Sequence, residues 1–342
     1  MEWPTETGTF EAGDLPLRSG EVLRGARLSW KTHGRLSATK DNLVVYPTSY
    51  SAQHPDLEWL IGRTGILDPT KWFIVIPDML GNGLSSSPSN TSNYPDLVTI
   101  SDNVRLQRRF LEEHWGIDRV AGVYGWSMGA LQAYHWAALY PDAVGCAIIV
   151  CGAARTAVHN RVFLRSLLAT LEAAPEHLGR GRFSAEPSAA KRAFGSIYAA
   201  WAFSQDFYRA ERHLAAGPVP NLGGPDLDTF LRTHWKDRFE TYVASNLYAR
   251  LRTWETADIA DNQLYGGNLA EALGAIRARM LLMPGATDLY FRVADNEAEL
   301  PYLDLAELRP IPSIWGHAAG NPKENPEDFR FIRDAVRDWL DR

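Results

Sequence analysis

A serine, an aspartate and a histidine set far apart in the chain carry the chemistry this sequence can do, and the serine has the most telling surroundings. Ser127 stands in Gly125-Trp126-Ser127-Met128-Gly129. In such a G-x-S-x-G pattern the backbone turns so sharply from strand to helix that side chains at the two glycine positions would collide with neighbouring elements. A hydroxyl presented by that turn can attack a carbonyl carbon, provided a base takes its proton. His317 lies in Trp315-Gly316-His317-Ala318-Ala319-Gly320, among small residues that let a loop reach back over a sheet. Asp288, in Gly285-Ala286-Thr287-Asp288-Leu289, follows an apolar run and so sits at the carboxyl end of a strand, where open sheets bind ligands. The assignment is Ser127 as nucleophile, His317 as general base and Asp288 as the carboxylate that orients the imidazole, with Asp295 the nearest alternative acid. The amide of Met128, at the start of the following helix, is the first oxyanion donor.

These groups need a scaffold that sets them side by side. Residues 43–46, 72–77, 119–124, 145–150 and 279–284 are short, mostly apolar runs of buried-strand length, and the sheet is expected to resume once more at 305–309. Helical stretches come between or after them: an amphipathic one over 99–115, one over 130–140 closed by Pro141, and a last one over 326–340. This alternation predicts an α/β fold with a mostly parallel sheet and helices on both faces. Weak alternation from about residue 8 to 31, with a turn signal over 15–21, predicts an antiparallel hairpin ahead of it. From 152 to 272 the strand signal disappears. That stretch reads as an inserted helical cap, broken near Gly179-Arg180-Gly181 and at Gly217-Pro218-Val219-Pro220, which leaves 1–151 and 273–342 as the core. Of the cap aromatics Tyr198, Trp201, Phe203, Phe207, Tyr208, Trp235, Phe239, Tyr242, Tyr248 and Trp254, most are expected in helix packing and one or two in a pocket wall.

Asp41-Asn42-Leu43-Val44-Val45, Trp72-Phe73-Ile74-Val75, Val98-Thr99-Ile100-Ser101-Asp102-Asn103-Val104, the serine turn, Tyr140-Pro141-Asp142 and Gly316-His317 together resemble the homoserine transacetylase family over residues 8–150 and 276–340. The resemblance implies an α/β-hydrolase core with a helical lid and acyl transfer through an acyl-serine. The order serine, acid, histidine is that of α/β-hydrolases, which draw a second oxyanion amide from a loop after an early strand. Here that donor is Ser49, with Thr48 and Tyr50 within one residue of register. The departures from the family matter for substrate. Trp126 and Ala130 replace glycines beside the nucleophile, and Ala318 stands where an aspartate would pair with the homoserine ammonium. Near Ile197-Tyr198-Ala199-Ala200 the Tyr-Arg pair that would hold a carboxylate is missing. Trp126, Tyr50 and Ala318 are therefore placed in the substrate pocket, and the chain looks like the hydrolase-like branch, esterases acting on acetate and other short acyl esters. The alternative is an O-acetyltransferase using acetyl-CoA and homoserine or another alcohol. A receptor that keeps the fold without turnover is disfavoured by the intact triad.

Composition narrows the partners. A formal net charge of −6 with scattered basic residues offers no footprint for nucleic acid or an anionic membrane, and 45% hydrophobic with 22% charged residues suits a globular core. Cys146 and Cys151 are too few for a disulfide framework and read as buried thiols. Histidines and cysteines show no metal-binding spacing, and Gly81-Asn82-Gly83 lacks the third glycine and the helix of a dinucleotide fingerprint, so neither metal nor cofactor is expected. Met1-Glu2-Trp3-Pro4-Thr5-Glu6 has no basic and no apolar leader region, and no apolar segment reaches spanning length. A cytoplasmic protein taking a small-molecule ester is the expectation, with a homodimer left open.

Overall fold

The computed structural model describes residues 3–214 and 225–342, so the break expected at Gly217-Pro218-Val219-Pro220 lies outside the described residues. The chain opens with β1 (Thr5–Pro16) and β2 (Val22–His33), a long antiparallel hairpin. Its register shifts around Gly13, whose φ is 68°, and these bulges explain why the alternation was faint in the sequence. Then come β3 (Leu43–Val45), β4 (Phe73–Pro77), β5 (Val120–Trp126), β6 (Val144–Val150), β7 (Arg279–Met283) and β8 (Ala306–Leu308). They form one eight-stranded sheet in the order β1-β2-β4-β3-β5-β6-β7-β8, parallel from β4 to β8.

Both faces of the sheet are buried, and the pleat divides the side chains between them. In β6 and β7, Ala147, Ile149, Met280 and Leu282 pack on one face, where the helices Ile100–Trp115 and Met128–Leu139 lie. Cys146, Ile148, Leu281 and Met283 pack on the other with Ile332, Val336 and Trp339 of the helix Pro326–Leu340. Strands buried on both faces lose their polar alternation, which is why they read as continuous apolar runs. Helices on both sides of a mostly parallel sheet are the predicted architecture.

Between β6 and β7 the described chain contributes helices and no strand of the sheet, the longer ones being Val158–Glu172, Ser188–Ala202 and Ala244–Glu255. Gly179, Arg180 and Gly181, all at positive φ, turn the chain between the first two. No helix among the described residues is long and apolar enough to cross a membrane.

One buried carboxylate ties this insertion to the sheet's helices. Glu299, closing the helix Val293–Glu299, accepts hydrogen bonds from Tyr134 Oη (2.6 Å), the Ala154 amide (2.7 Å) and Asn296 Nδ2 (2.8 Å). Burial outweighs those donors and pushes its carboxyl up to about 7 from 4.5. Asp328 is raised to about 6, also by burial. For a folded pKa above the unfolded one, the unfolded chain releases its proton first as pH rises, so stability is full below the unfolded value and declines through the window up to the folded one. At Glu299 the window runs from 4.5 to about 7. The loss across it is on the order of 3 kcal/mol. Glu299→Gln, which cannot ionise, is expected to flatten the decline of the urea midpoint with rising pH. An unchanged slope would assign the decline to other groups.

Candidate active site

The turn after β5 owes its shape to what surrounds it. Ser127 has φ 58° and ψ −126°, a conformation non-glycine residues rarely hold, and the helix Met128–Leu139 starts directly behind it. A Cβ on Gly125 would lie 2.1 Å from the Gly129 carbonyl oxygen, and one on Gly129 would lie 2.7 Å from the Pro47 carbonyl oxygen. Both flanking positions are closed to any larger residue by backbone.

Asp288 and His317 come to this turn from the ends of β7 and β8. The Ser127 hydroxyl is 2.9 Å from His317 Nε2, and His317 Nδ1 is 2.7 Å from Asp288 Oδ2. The carboxylate's other oxygen accepts the amides of Tyr290 (2.7 Å) and Phe291 (3.2 Å), so its plane is held from the backbone. With Nδ1–H donating to the carboxylate, Nε2 carries the lone pair that can receive the serine proton. All three residues are buried, with 2%, 3% and 4% of the surface of Ser127, Asp288 and His317 exposed. Asp295 is elsewhere: its carboxylate accepts the Arg292 amide (3.1 Å) as the N-terminal cap of the helix Val293–Glu299. One donor atom each of Cys151, Asp288 and His317 lie within 4.8 Å of one another, but Asp288 and His317 spend theirs on the hydrogen-bonded chain to Ser127.

The imidazole is enclosed by rings. Trp126 stacks on it with centroids 5.2 Å apart and 27° between planes, Tyr290 meets it edge-on at 4.6 Å, and Phe291 lies at 5.7 Å. Sequence context placed Trp126 beside the nucleophile; the structure adds that its indole is laid on the base. Gly320 makes this possible, since a Cβ there would come within 2.5 Å of the indole and 2.7 Å of Cys151 Sγ.

The loop after β3 is locked from three sides. Ser49 Oγ donates to the Trp126 carbonyl and accepts the Gly129 amide (3.3 Å), pinning the loop to the serine turn. Gln132 Nε2 donates to the Thr48 carbonyl (2.9 Å), and its Oε1 takes Gln107 Nε2 (2.6 Å). Just beyond, His54 and Asp78 form a second buried pair (Nδ1 to Oδ2, 2.7 Å), and Asp78 also accepts Ser29 Oγ, the His54 amide and Asn82 Nδ2. Sequence reasoning missed Gln132, His54 and Asp78, because buried polar side chains that bond across the fold leave no local pattern. Thr48 spends its amide on the Pro77 carbonyl (3.2 Å), and Tyr50, not Ser49, lines the cavity beside Ser127.

That cavity holds about 440 Å³. Trp126, Tyr50 and Ala318 all line it, together with Ser127 and His317. The insertion contributes Tyr198, Phe203, Trp235, Phe239 and Tyr242, so five of its aromatics reach the wall where one or two were expected. These rings serve both purposes at once: Tyr198 packs on Phe163, Phe194 and Phe239 and also lines the cavity. Asp56, Arg238, Lys323 and Glu324 bring charge to the same wall.

A family model for the alpha/beta hydrolase fold matches residues 66–295, two thirds of the chain. The chain belongs to the α/β-hydrolase family. Within it, the sequence is 35% identical over 320 residues to an ethyl acetate hydrolase of Pseudomonas veronii, covering 91% of this chain and 89% of that one. The structure superposes on the acetyl esterase MekB with a TM-score of 0.92 at 31% identity, covering 98% and 97% of the two chains. A homoserine O-succinyltransferase of Azoarcus sp. is 29% identical over 328 residues, 87% of this chain and 86% of the relative. The chain is thus an esterase-type member of the family, with homoserine acyltransferases among its further relatives.

Proposed function

We propose that this α/β-hydrolase cleaves small, neutral, acetate-type esters through an acyl-serine, and the observation that carries the reading is the hydrogen-bonded chain Ser127–His317–Asp288 opening into an aromatic cavity. Ser127 Oγ attacks the acyl carbonyl as His317 Nε2 takes its proton, and the carbonyl π pair moves onto oxygen. The amide of Met128 and that of Ser49 or Tyr50 receive that oxyanion, Tyr50 being the one of the two that lines the cavity. His317 then returns the proton to the departing alkoxide. Water, deprotonated by the same imidazole, attacks the acyl-enzyme, and its collapse releases the acid and Ser127. Asp288 keeps the imidazole in the tautomer both half-reactions need.

The similarity to an ethyl acetate hydrolase and an acetyl esterase supports a short acyl group. The methyl of Ala318, next to the base, offers a substrate ammonium no partner there, and the indole of Trp126 occupies space beside the serine. Asp56, Glu324, Arg238 and Lys323 bring charge to the wall, but an ammonium set against Ala318 lacks a partner beside the base, and burying it so is costly. Each missing charge-assisted contact is worth about 1.5–3 kcal/mol, so homoserine use is expected to be lower by roughly two to four decades. The test is kcat/KM for ethyl acetate hydrolysis against acetyl-CoA-dependent homoserine acetylation, using one preparation. Faster homoserine acetylation would replace the hydrolase reading with transfer to an alcohol.

A further inference from the structure

Arg250 is a buried cation near this site that the esterase reading leaves unused. It lies on the insertion's helix Ala244–Glu255 with only 2% of its surface exposed. Its Nε donates to the Asn246 carbonyl one turn back (3.2 Å), and no carboxylate among the described residues forms an ion pair with it. The groups around its charge are the tyrosines Tyr50, Tyr242, Tyr94 and Tyr198, and burial draws its pKa down. An unpaired buried guanidinium is unfavourable for folding unless something compensates it, and such groups concentrate where charge develops during reaction.

Its placement indicates the use. The guanidinium carbon is 5.3 Å from the centroid of the Tyr50 ring. That ring is stacked on Tyr198 (6.0 Å, 11°), and its hydroxyl donates to the Leu247 carbonyl (3.3 Å), so Tyr50 is gripped by the same helix that carries Arg250. The opposite side of the arginine is set by Gly81, at φ 88°, where a Cβ would stand 3.2 Å from Arg250 Cγ. Gly83 likewise leaves room for Asn246, whose amide exchanges hydrogen bonds with Ser89. The Gly81-Asn82-Gly83 sequence, which fits no cofactor motif, is thereby explained as the surface against which this helix packs.

We propose that Arg250 is a positioning residue for the oxyanion site: its cation–π contact, together with the Tyr50 hydroxyl's bond to the same helix, fixes Tyr50 and the loop amide beside Ser127. The inference rests on the acyl-serine reading above. A contact that aligns an amide used only by the tetrahedral oxyanion changes kcat and leaves ground-state binding alone. The experiment compares wild type with Arg250→Met, which keeps the stem and removes the charge, and Arg250→Lys, which keeps the charge. For p-nitrophenyl acetate, Arg250→Met is expected to lower kcat by about 10- to 100-fold with KM within about threefold. Affinity for methylboronic acid, a tetrahedral anion on the serine, is expected to fall in parallel with kcat/KM. Arg250→Lys is expected to recover most of both. If Arg250→Met binds the boronate as wild type does, or if kcat is preserved, the inference is overturned. An Arg250→Met too unstable to assay moves the decision to Arg250→Lys, where boronate affinity as poor as that of an Ala variant at Tyr50 overturns it as well. Ser127→Ala serves as the separate check: activity surviving in that variant defeats the acyl-serine reading itself, whatever the Arg250 variants do.

Discussion

Ser127→Ala is expected to lower kcat by about 10⁶-fold while the protein stays folded, because the change removes the atom that forms the covalent intermediate and leaves only oxyanion and binding contributions. The oxygen at stake is the one 2.9 Å from His317 Nε2. Alanine occupies the same strained backbone, φ 58° and ψ −126°, so the melting temperature is expected to stay within about 2 °C of wild type. Ser127→Gly, equally inactive, is expected to be more stable than the alanine variant by about 1 kcal/mol, since glycine relieves the strain of that conformation. Retention of more than about one per cent of kcat in either variant would remove Ser127 from the role of nucleophile. Serine-directed sulfonyl fluorides are expected to label wild type on this residue and to leave the alanine variant unlabelled.

Asp288→Asn is expected to lower kcat by about four decades, more than any other single carboxylate change in the chain. Asparagine can still accept the Tyr290 and Phe291 amides through its oxygen, so the loop keeps its shape. Its amide nitrogen then faces His317 Nδ1 at the present 2.7 Å contact. That nitrogen donates, so Nδ1 must accept and the ring proton moves to Nε2, where it blocks receipt of the serine proton. Measuring kcat alongside the near-ultraviolet circular dichroism separates this effect from unfolding. A nearly silent Asp288→Asn would send the search to another acid, and Asp295 offers little because its carboxylate is committed to the helix cap at Arg292.

The fold was legible wherever local periodicity carried it. Buried strands 43–45, 73–77, 144–150 and 279–283 appeared as apolar runs with ends one or two residues off, and the amphipathic helices showed their buried stripe. The hairpin extends a few residues beyond the weak alternation over 8–31, and its bulges at Gly13 interrupt the two-residue period that would have marked it clearly. The insertion's aromatics were undercounted in the pocket because helical spacing reports that a ring is buried, not whether its burial is against another helix or a cavity.

Sequence alone determined the residue types and the local conformation that display them: a serine between two glycines at a strand-to-helix turn, an acid and a histidine each following a late strand, in that order. These are decisions made by neighbours within a few positions, through sterics and capping, and so they are written in short motifs. Only the tertiary structure decided the contacts between segments. It laid Trp126 on the imidazole instead of merely beside the serine, bonded Ser49 to the serine turn and set Tyr50 on the cavity wall, and placed the Gln132 and Asp78 networks against the loop. It also brought the buried charge of Arg250 onto Tyr50, two hundred positions earlier in the chain. Such contacts depend on side chains from opposite ends of the sequence meeting at hydrogen-bond or ring-packing distance, a condition set by how the sheet and its insertion pack and by nothing in either segment's own pattern.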